Sequence, residues 1–396
     1  MKVIIGALGS SGDVYPCIEI GAILKKRHHE VYLLANEHFK SSAVSRGLSF
    51  MPVGDREDYL RTVKDRRLWD KKTALKTLSG YMAAQQEEMY NAMAAFIEED
   101  CNCIIIHSLW CFAASIVSDK FGVRKFSVSL TNATQKLKPG RLISFLEKVS
   151  GASLNWKLAL FKSLIVSPAL QDTVNTLRMS NGLAGRKNIY AAWTDDEANS
   201  VVLYEPWFYK KNQRKGFYAG FLLNNDSECS HDTLVSSFID RNTVVIFTSW
   251  ALADDHFVNQ IVSDIKEEGM KCVIVTPEAD IVHAEHRVLM VPFINISKIR
   301  GCLFAVHHGG IGTTAQLLSN GVPQLIYPSA FDQFGNAITI ERLRCGLRGR
   351  GRGRKQLKAM AEFSRSGRNH CEHFAALFND DTSIRNSKLE SFLRLN

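Results

Sequence analysis

Three groups of residues have the types and spacing to do chemistry. The first is His307-His308-Gly309-Gly310-Ile311-Gly312-Thr313-Thr314. A histidine can donate a hydrogen bond to a phosphate and, if protonated, offset its charge. Glycines let a ligand approach the backbone closely, and the threonines add neutral donors. A helix is expected from Thr313 to about Asn320, with Gly321 capping it and Pro323 beyond. Its free N–H groups and positive dipole end suit a phosphate, and together these donors would stabilise a diphosphate leaving group without a metal. The second group is Asp332-Gln333, a carboxylate and an amide side by side that can grip vicinal hydroxyls, as on a sugar. The third is Asp13, behind Gly9-Ser10-Ser11-Gly12, where a carboxylate could take a proton from an attacking hydroxyl. Each has a plainer reading: structural histidines at a strand end, and helix N-caps for Asp13 and Asp332. On the residues alone both readings stand.

The elements that must position these groups form two alternating series. Val3–Leu8 reads as a buried strand, a helix follows the glycine turn through Arg27, and Val31–Ala35 is the next strand. His28 stands where a helix end usually wants glycine. Further strands are expected at Ser49–Val53, Cys103–His107, Lys125–Leu130 and Val201–Tyr204, with a helix at Cys111–Phe121. Thr62–Met82 reads as a loop plus helix outside the sheet, and Gln85–Glu99 as a separate amphipathic helix. Leu142–Leu183 is apolar at helical spacing, which suits a pocket wall or ordinary core helices. After a polar stretch at Asn224–His231 the pattern restarts. Strands are expected at Thr243–Thr248, Cys272–Val275, Arg287–Val291 and Leu303–Val306, and helices at His256–Glu268, Asp332–Arg342, Lys355–Phe363, Asn369–Phe378 and Ser387–Leu395. Two such series predict an α/β protein of two doubly wound domains facing a cleft. The expected boundaries are 1–222, a linker at 223–242, 243–378, and a last helix within 379–396.

A chain of 396 residues with 45% apolar residues fits two globular domains. It has no apolar run long enough to span a membrane and no basic-then-apolar leader. Nine scattered cysteines, without a second pair at zinc spacing, predict reduced thiols and a cytoplasmic protein. The net charge of +9 gathers partly at Lys210–Lys215 and Arg348–Lys355. No aromatic residues interleave with those clusters, which argues against nucleic acid. Asp-x-Asp, Gly-x-Ser-x-Gly and Walker-type sequences are absent, so no metal is expected.

His307-His308-Gly309-Gly310-Ile311-Gly312-Thr313-Thr314, then Gly321-Val322-Pro323, then Pro328 and Asp332-Gln333-Phe334-Gly335-Asn336-Ala337, resembles the donor-binding signature of family 1 glycosyltransferases. Gly9 to Pro16 resembles the N-terminal loop of the bacterial and sterol branches. Arg66-Arg67-Leu68-Trp69-Asp70 and Ser108-Leu109-Trp110 look most like bacterial rhamnosyltransferases that act on hydroxy-fatty-acid lipids. The resemblance implies a GT-B fold: two Rossmann-like domains, the first binding the acceptor and the second a nucleotide-sugar. The last helix would cross back to the first domain. It also implies an inverting, metal-independent hexosyl transfer from a UDP- or dTDP-sugar, which is a substrate and not a cofactor, to a small apolar acceptor alcohol. Asp13 would be the general base. His308 rather than His307 matches the phosphate-contacting histidine, with Gly312 and Thr313 as its partners. Asp332 and Gln333 would hold the donor sugar.

Several positions depart from the family pattern. Trp250 follows the first strand of the second series where Gly-Ser is usual, and would block the nucleotide or stack on its base. Met290 stands at the usual base-stacking aromatic, Phe293 at a usual glutamine, and Gln316 at a usual ribose-binding glutamate. His107 occupies the place of an aspartate that serves relatives with a histidine base. These departures keep open a non-catalytic binding subunit, and a sugar-nucleotide epimerase shares the fold. The arginine-rich stretch Arg348–Arg354 is a candidate for peripheral contact with the inner membrane face. No oligomeric state is legible.

Overall fold

The computed structural model describes residues 1–70, 72–99, 102–131, 168–191, 197–209, 215–223, 231–248, 255–276, 283–285, 287–350, 353–378 and 382–395. Two compact units divide the chain. Met1–Leu68, Lys72–Leu222 and Ser383–Asn396 make the first, and Trp69–Lys71 with Leu223–Thr382 make the second.

The first unit holds a seven-stranded sheet of β1 (Lys2–Ala7), β2 (Glu30–Ala35), β3 (Ser49–Pro52), β4 (Cys103–His107), β5 (Lys125–Ser129), β6 (Ser200–Val202) and β7 (Phe217–Tyr218). Their order is β3-β2-β1-β4-β5-β6-β7, with every pairing parallel. Val3, Ile4 and Ile5 are wholly buried, as a parallel strand covered on both faces requires. The strand order reverses between β1 and β4, so the loops leaving these two strands open onto a switch point, the usual ligand position in such sheets.

One helix, Ala74–Glu99, replaces the expected loop and two helices. Met82, Met89, Met93 and Ile97 recur on one face and are wholly buried, so the helix packs against the sheet rather than outside it. Gly6 on β1 makes room for it, since a Cβ there would lie 2.1 Å from Met93 Cε. His28 adopts φ 64°, the left-handed conformation its position after the first helix demands. Most of the apolar stretch Leu142–Leu183 lies outside the described residues. Its described part is the helix Pro168–Ser180, which packs on Ala74–Glu99 through Leu170, Val174 and Leu177.

The C-terminal helix, Thr382–Phe392, belongs to the first unit. Phe392 stacks on Phe217 at 5.4 Å and meets Phe126 edge-on at 5.6 Å. Glu390 accepts from Arg27 at 2.7 Å and lies 2.8 Å from His29 Nε2.

The second unit holds β8 (Thr243–Phe247), β9 (Lys271–Val275), β10 (His283–Glu285), β11 (Val288–Val291), β12 (Phe304–His307), β13 (Gln324–Ile326) and β14 (Gly346–Arg348). Their order is β10-β11-β9-β8-β12-β13-β14, parallel except for the β10–β11 hairpin. Here the order reverses between β8 and β12. The stretch 223–242, expected as a linker, contains a helix at Asp232–Phe238 whose Val235 is buried in this unit's core. Arg354–Ala376 is a single helix in place of the two expected. Among the described residues no helix is long and apolar enough to cross a membrane.

Candidate functional site

Each unit carries one cluster at its own switch point. In the first, Ser10 is the N-cap of the helix Ser11–Lys26, and Asp13 sits at its third position. Asp13 Oδ2 accepts hydrogen bonds from Ser10 N at 2.8 Å and Ser10 Oγ at 3.0 Å, the first of them its part of a capping box. Asp13 is therefore the partner of the N-cap and not the N-cap itself. Gly9 is obligatory here: φ is 138°, and a Cβ would stand 2.3 Å from Asp13 Oδ2. Ser11 and Gly12 are exposed, and Asp13 is half-buried.

Neighbouring loops are fixed by buried polar groups. Ser108 Oγ donates to Leu8 O at 2.7 Å and accepts from Leu8 N at 2.8 Å, tying the exit of β1 to that of β4. Gln86 is wholly buried; its amide donates to Trp110 O at 3.0 Å and accepts from Ala113 N at 3.0 Å. His107 ends β4 and donates from Nδ1 to Ser108 O at 2.9 Å. Tyr59 Oη lies 3.5 Å from Ser11 Oγ, and burial pushes its pKa up to about 12, so it stays a neutral phenol.

In the second unit, β12 delivers His307 and the chain turns through His308, Gly309 and Gly310 into the helix Ile311–Ser319. Gly309 has φ 94°, and a Cβ on it would meet Ile326 Cγ2 at 2.6 Å. Gly310 leaves room for the His308 ring, whose Nε2 would lie 2.7 Å from an added Cβ. Gly312 is exposed with open space around it. The helix begins its internal bonding with Thr314 N to Gly310 O at 3.0 Å, so the N–H groups of Ile311, Gly312 and Thr313 have no partner in the preceding turn.

His307 is not a ligand donor. It is wholly buried, its Nδ1 accepts from Gly309 N at 3.1 Å, and its Nε2 lies 3.0 Å from Gln324 Oε1. Both ring nitrogens are thus engaged inside the fold. Burial, helped by the charge of His308 and opposed by the Gln324 hydrogen bond, lowers its pKa to about 3. His308 is half-buried as a residue, and burial lowers its pKa to about 4, so it is a neutral imidazole near pH 7. Thr314 also differs from expectation. It is wholly buried, and its hydroxyl donates to Gly310 O at 2.9 Å, which leaves Thr313 as the half-exposed threonine of the pair.

Asp332 and Gln333 divide their work differently from a simple paired grip. Gln333 Oε1 accepts from Ser329 N at 2.8 Å, Ser329 Oγ at 2.9 Å and Ala330 N at 3.0 Å, which holds the turn before the helix Gln333–Arg342. Only its amide nitrogen remains as a grip. Asp332 makes no side-chain cap bond; its Oδ2 accepts from Asn336 Nδ2 at 2.8 Å. Asn336 Nδ2 also donates to Gly309 O at 2.9 Å, joining the glycine loop to Asp332. Gln316 is half-buried, one turn beyond Gly312 on the same helix face. Met290 packs partly against the unit's core, whereas Phe293 is 54% exposed. Trp250 lies outside the described residues. Among those residues no three His, Cys, Asp or Glu side chains gather as a metal-binding group.

The family model for the C-terminal domain of erythromycin biosynthesis protein CIII-like proteins matches residues 259–369. That span contains the glycine loop, Asp332 and Asn336. An uncharacterized glycosyltransferase of Mycobacterium tuberculosis is 22% identical over 364 residues, covering 88% of this chain and 87% of its own. L-demethylnoviosyl transferase of Streptomyces niveus is 23% identical over 355 residues, covering 88% of this chain and 84% of its own. Over most of its length the chain is thus similar to glycosyltransferases. Their GT-B architecture is seen in the solved glycosyltransferase VinC in complex with dTDP, which matches with a TM-score of 0.66 at 16% identity, over 100% of this chain and 99% of that one.

The residues that sequence reasoning missed are mostly buried amides: Gln86, Gln324 and Asn336. Asn336 lies inside the quoted motif, four residues after Asp332, a spacing that places both on one helix face. The described arginines of the arginine-rich stretch each approach a carboxylate within the second unit. Arg348 and Arg350 approach Glu341 at 3.9 and 3.6 Å, Arg354 reaches Glu267 at 3.1 Å and also Glu268, and Lys358 lies 3.4 Å from Glu268.

Proposed function

We propose that this glycosyltransferase moves a hexose, with inversion, from a UDP- or dTDP-sugar to a hydroxyl of a small lipophilic acceptor. The observation that carries the reading is the glycine loop at the second unit's switch point. There a neutral His308, the N–H groups of Ile311, Gly312 and Thr313, and the helix dipole gather donors for a diphosphate. VinC binds dTDP, which supports a nucleoside diphosphate as leaving group.

In this reading the acceptor O–H gives its proton to Asp13 as its oxygen bonds to the anomeric carbon. The bond from that carbon to the diphosphate breaks, and the electron pair leaves on the phosphate oxygen. Attack from the opposite face inverts the centre. Ser10 holds one Asp13 oxygen in place, and Asp332 would accept hydrogen bonds from the sugar hydroxyls. L-demethylnoviosyl transferase, whose name specifies a deoxysugar, supports including deoxyhexoses such as rhamnose among the donors tested. Action in the cytoplasm on an apolar alcohol, with or without contact to the membrane face, belongs to the same proposal.

The test is a thermal-shift panel of UDP, dTDP and GDP, since a ligand that binds only the folded state raises Tm. A rise with UDP or dTDP is expected. No shift at millimolar concentration would overturn the donor site in favour of a non-catalytic binding subunit. Asp13→Asn should then keep the shift and lose transfer by about a hundredfold or more, the range of general-base contributions. Retained transfer would remove Asp13 from its role. Sugar turnover without acceptor would point instead to an epimerase.

A further inference from the structure

We propose that Asn336 is a positioning residue of the donor site, tying the Gly309 carbonyl to the Asp332 carboxylate so that the diphosphate loop and the sugar grip hold one fixed geometry. The inference rests on the reading of this loop as the donor site.

Asn336 is wholly buried, and its single amide nitrogen spends both hydrogens, on Gly309 O at 2.9 Å and Asp332 Oδ2 at 2.8 Å. The two acceptors come from different elements, the turn after β12 and the start of the helix Gln333–Arg342. Fixing the Gly309 carbonyl also fixes the peptide to Gly310, because a trans peptide is planar and its N–H points opposite to its C=O. The Gly310 N–H is thereby aimed away from the helix Gln333–Arg342. Gly309 cannot relax freely, since φ is 94° and the space at its Cα is closed by Ile326 and by the Gln333 carbonyl, 3.3 Å from an added Cβ.

The second half of the argument concerns charge. Burial raises the pKa of Asp332, and the hydrogen bond from Asn336 is the chief influence opposing it. The remaining contribution is from its own backbone, and no charged side chain among the described residues acts on it. An ionised carboxylate is acceptor-only and can take hydrogen bonds from two sugar hydroxyls, whereas a protonated one gives up part of that capacity. Asn336 therefore favours the protonation state a sugar grip needs. Aspartate at 336 would set a second carboxylate against the first, and leucine would remove the donor without adding charge.

The experiment uses the full chain with UDP, dTDP, UDP-glucose, dTDP-glucose and dTDP-rhamnose, measuring affinity by calorimetry from pH 5 to 8. For wild type, the bound sugar nucleotide should hold tighter than its bare diphosphate. Asn336→Asp is close in size and the first choice; Asn336→Leu is the second variant if the first does not fold. Both should shrink the sugar's advantage by about tenfold and move its pH dependence upward. A purely structural role would instead lower Tm and leave the ratio of the two affinities and its pH profile unchanged, and that result would overturn the proposal. Wild type that binds none of the five probes would overturn the donor reading itself, and this proposal with it.

Discussion

His307 and Gln324 fix one another across adjacent strands. The register sets His307 beside Ile326 and places Gln324 two residues earlier on β13, so Nε2 and Oε1 meet at 3.0 Å with both side chains wholly buried. Because His307 Nδ1 accepts from the Gly309 amide, the ring proton must lie on Nε2, and Gln324 must present its oxygen. The remaining Gln324 amide donates to Thr314 O at 3.1 Å. A chain of neutral hydrogen bonds thus runs from the turn, through the sheet, to the first helical turn.

Gln324→Leu should therefore do more than remove one bond. It leaves the His307 Nε2–H buried without its partner, which costs about 1–3 kcal/mol, and it removes the second donor to the Thr314 carbonyl. The check is urea denaturation of wild type and variant, paired with the Tm rise on UDP or dTDP. Lower stability together with a smaller ligand response is expected. Full ligand response in a destabilised variant would confine Gln324 to the core.

The same buried histidine predicts acid sensitivity. With its pKa lowered from 6.5 to about 3, His307 holds fewer protons folded than unfolded throughout that window. Its contribution to stability is whole above pH 6.5 and is lost as pH falls towards 3, by about 1.4 kcal/mol per unit. Asp332 has the opposite sign: its pKa is raised from 3.8, so the folded state holds its proton more tightly and gains stability as pH falls. Denaturation midpoints of wild type and His307→Gln between pH 7 and 5 should diverge in slope, with the variant falling less steeply. Parallel slopes would count against the assignment.

Much of this was legible in sequence and some was not, for physical reasons. The long apolar runs of β1, β8 and β12 and the glycine loops announce themselves, because a fully buried parallel strand and a tight turn leave strong local patterns. The short strands β7, β10 and β14 were not read, since two or three residues carry no period. Ala74–Glu99 was split because its polar first turns hide a face that becomes apolar only when Met82 is counted with Met89 and Met93. The division of labour among the named site residues was hidden. Whether His307 or His308 faces outward depends on Gln324, seventeen residues away on another strand. No local spacing encodes such a partner.

Two glycines of the donor loop should respond oppositely to the same change. Gly309→Ala forces a side chain into φ 94° and against Ile326, so the loop must shift, at a cost of about 1–3 kcal/mol. Gly312→Ala meets open space inside a helix, keeps its N–H, and gains helix propensity. The expected outcome is nucleotide affinity reduced at least about tenfold in the first and nearly unchanged in the second, read by calorimetry with UDP and dTDP. Equal losses would mean that the Gly312 Cα itself is approached by ligand.

Gly9 gives the matching test in the first unit, where the question is the base and not the nucleotide. Its φ of 138° and the 2.3 Å approach of a built Cβ to Asp13 Oδ2 mean that Gly9→Ala must displace the carboxylate, the backbone or both. Ser10→Ala is gentler: it removes the 3.0 Å hydroxyl bond and the Ser10 side of the capping box, and leaves the 2.8 Å bond from Ser10 N. If Asp13 removes the acceptor proton, transfer should fall in the order wild type, Ser10→Ala, Gly9→Ala. A misplacement of about 1 Å is enough for about a hundredfold loss. Affinity for UDP or dTDP should hold in both, because the proposed nucleotide contacts lie in the second unit. Steady-state kcat beside calorimetric Kd separates the cases. A Gly9→Ala protein that folds and keeps full kcat would show that the carboxylate's position is irrelevant to the chemistry.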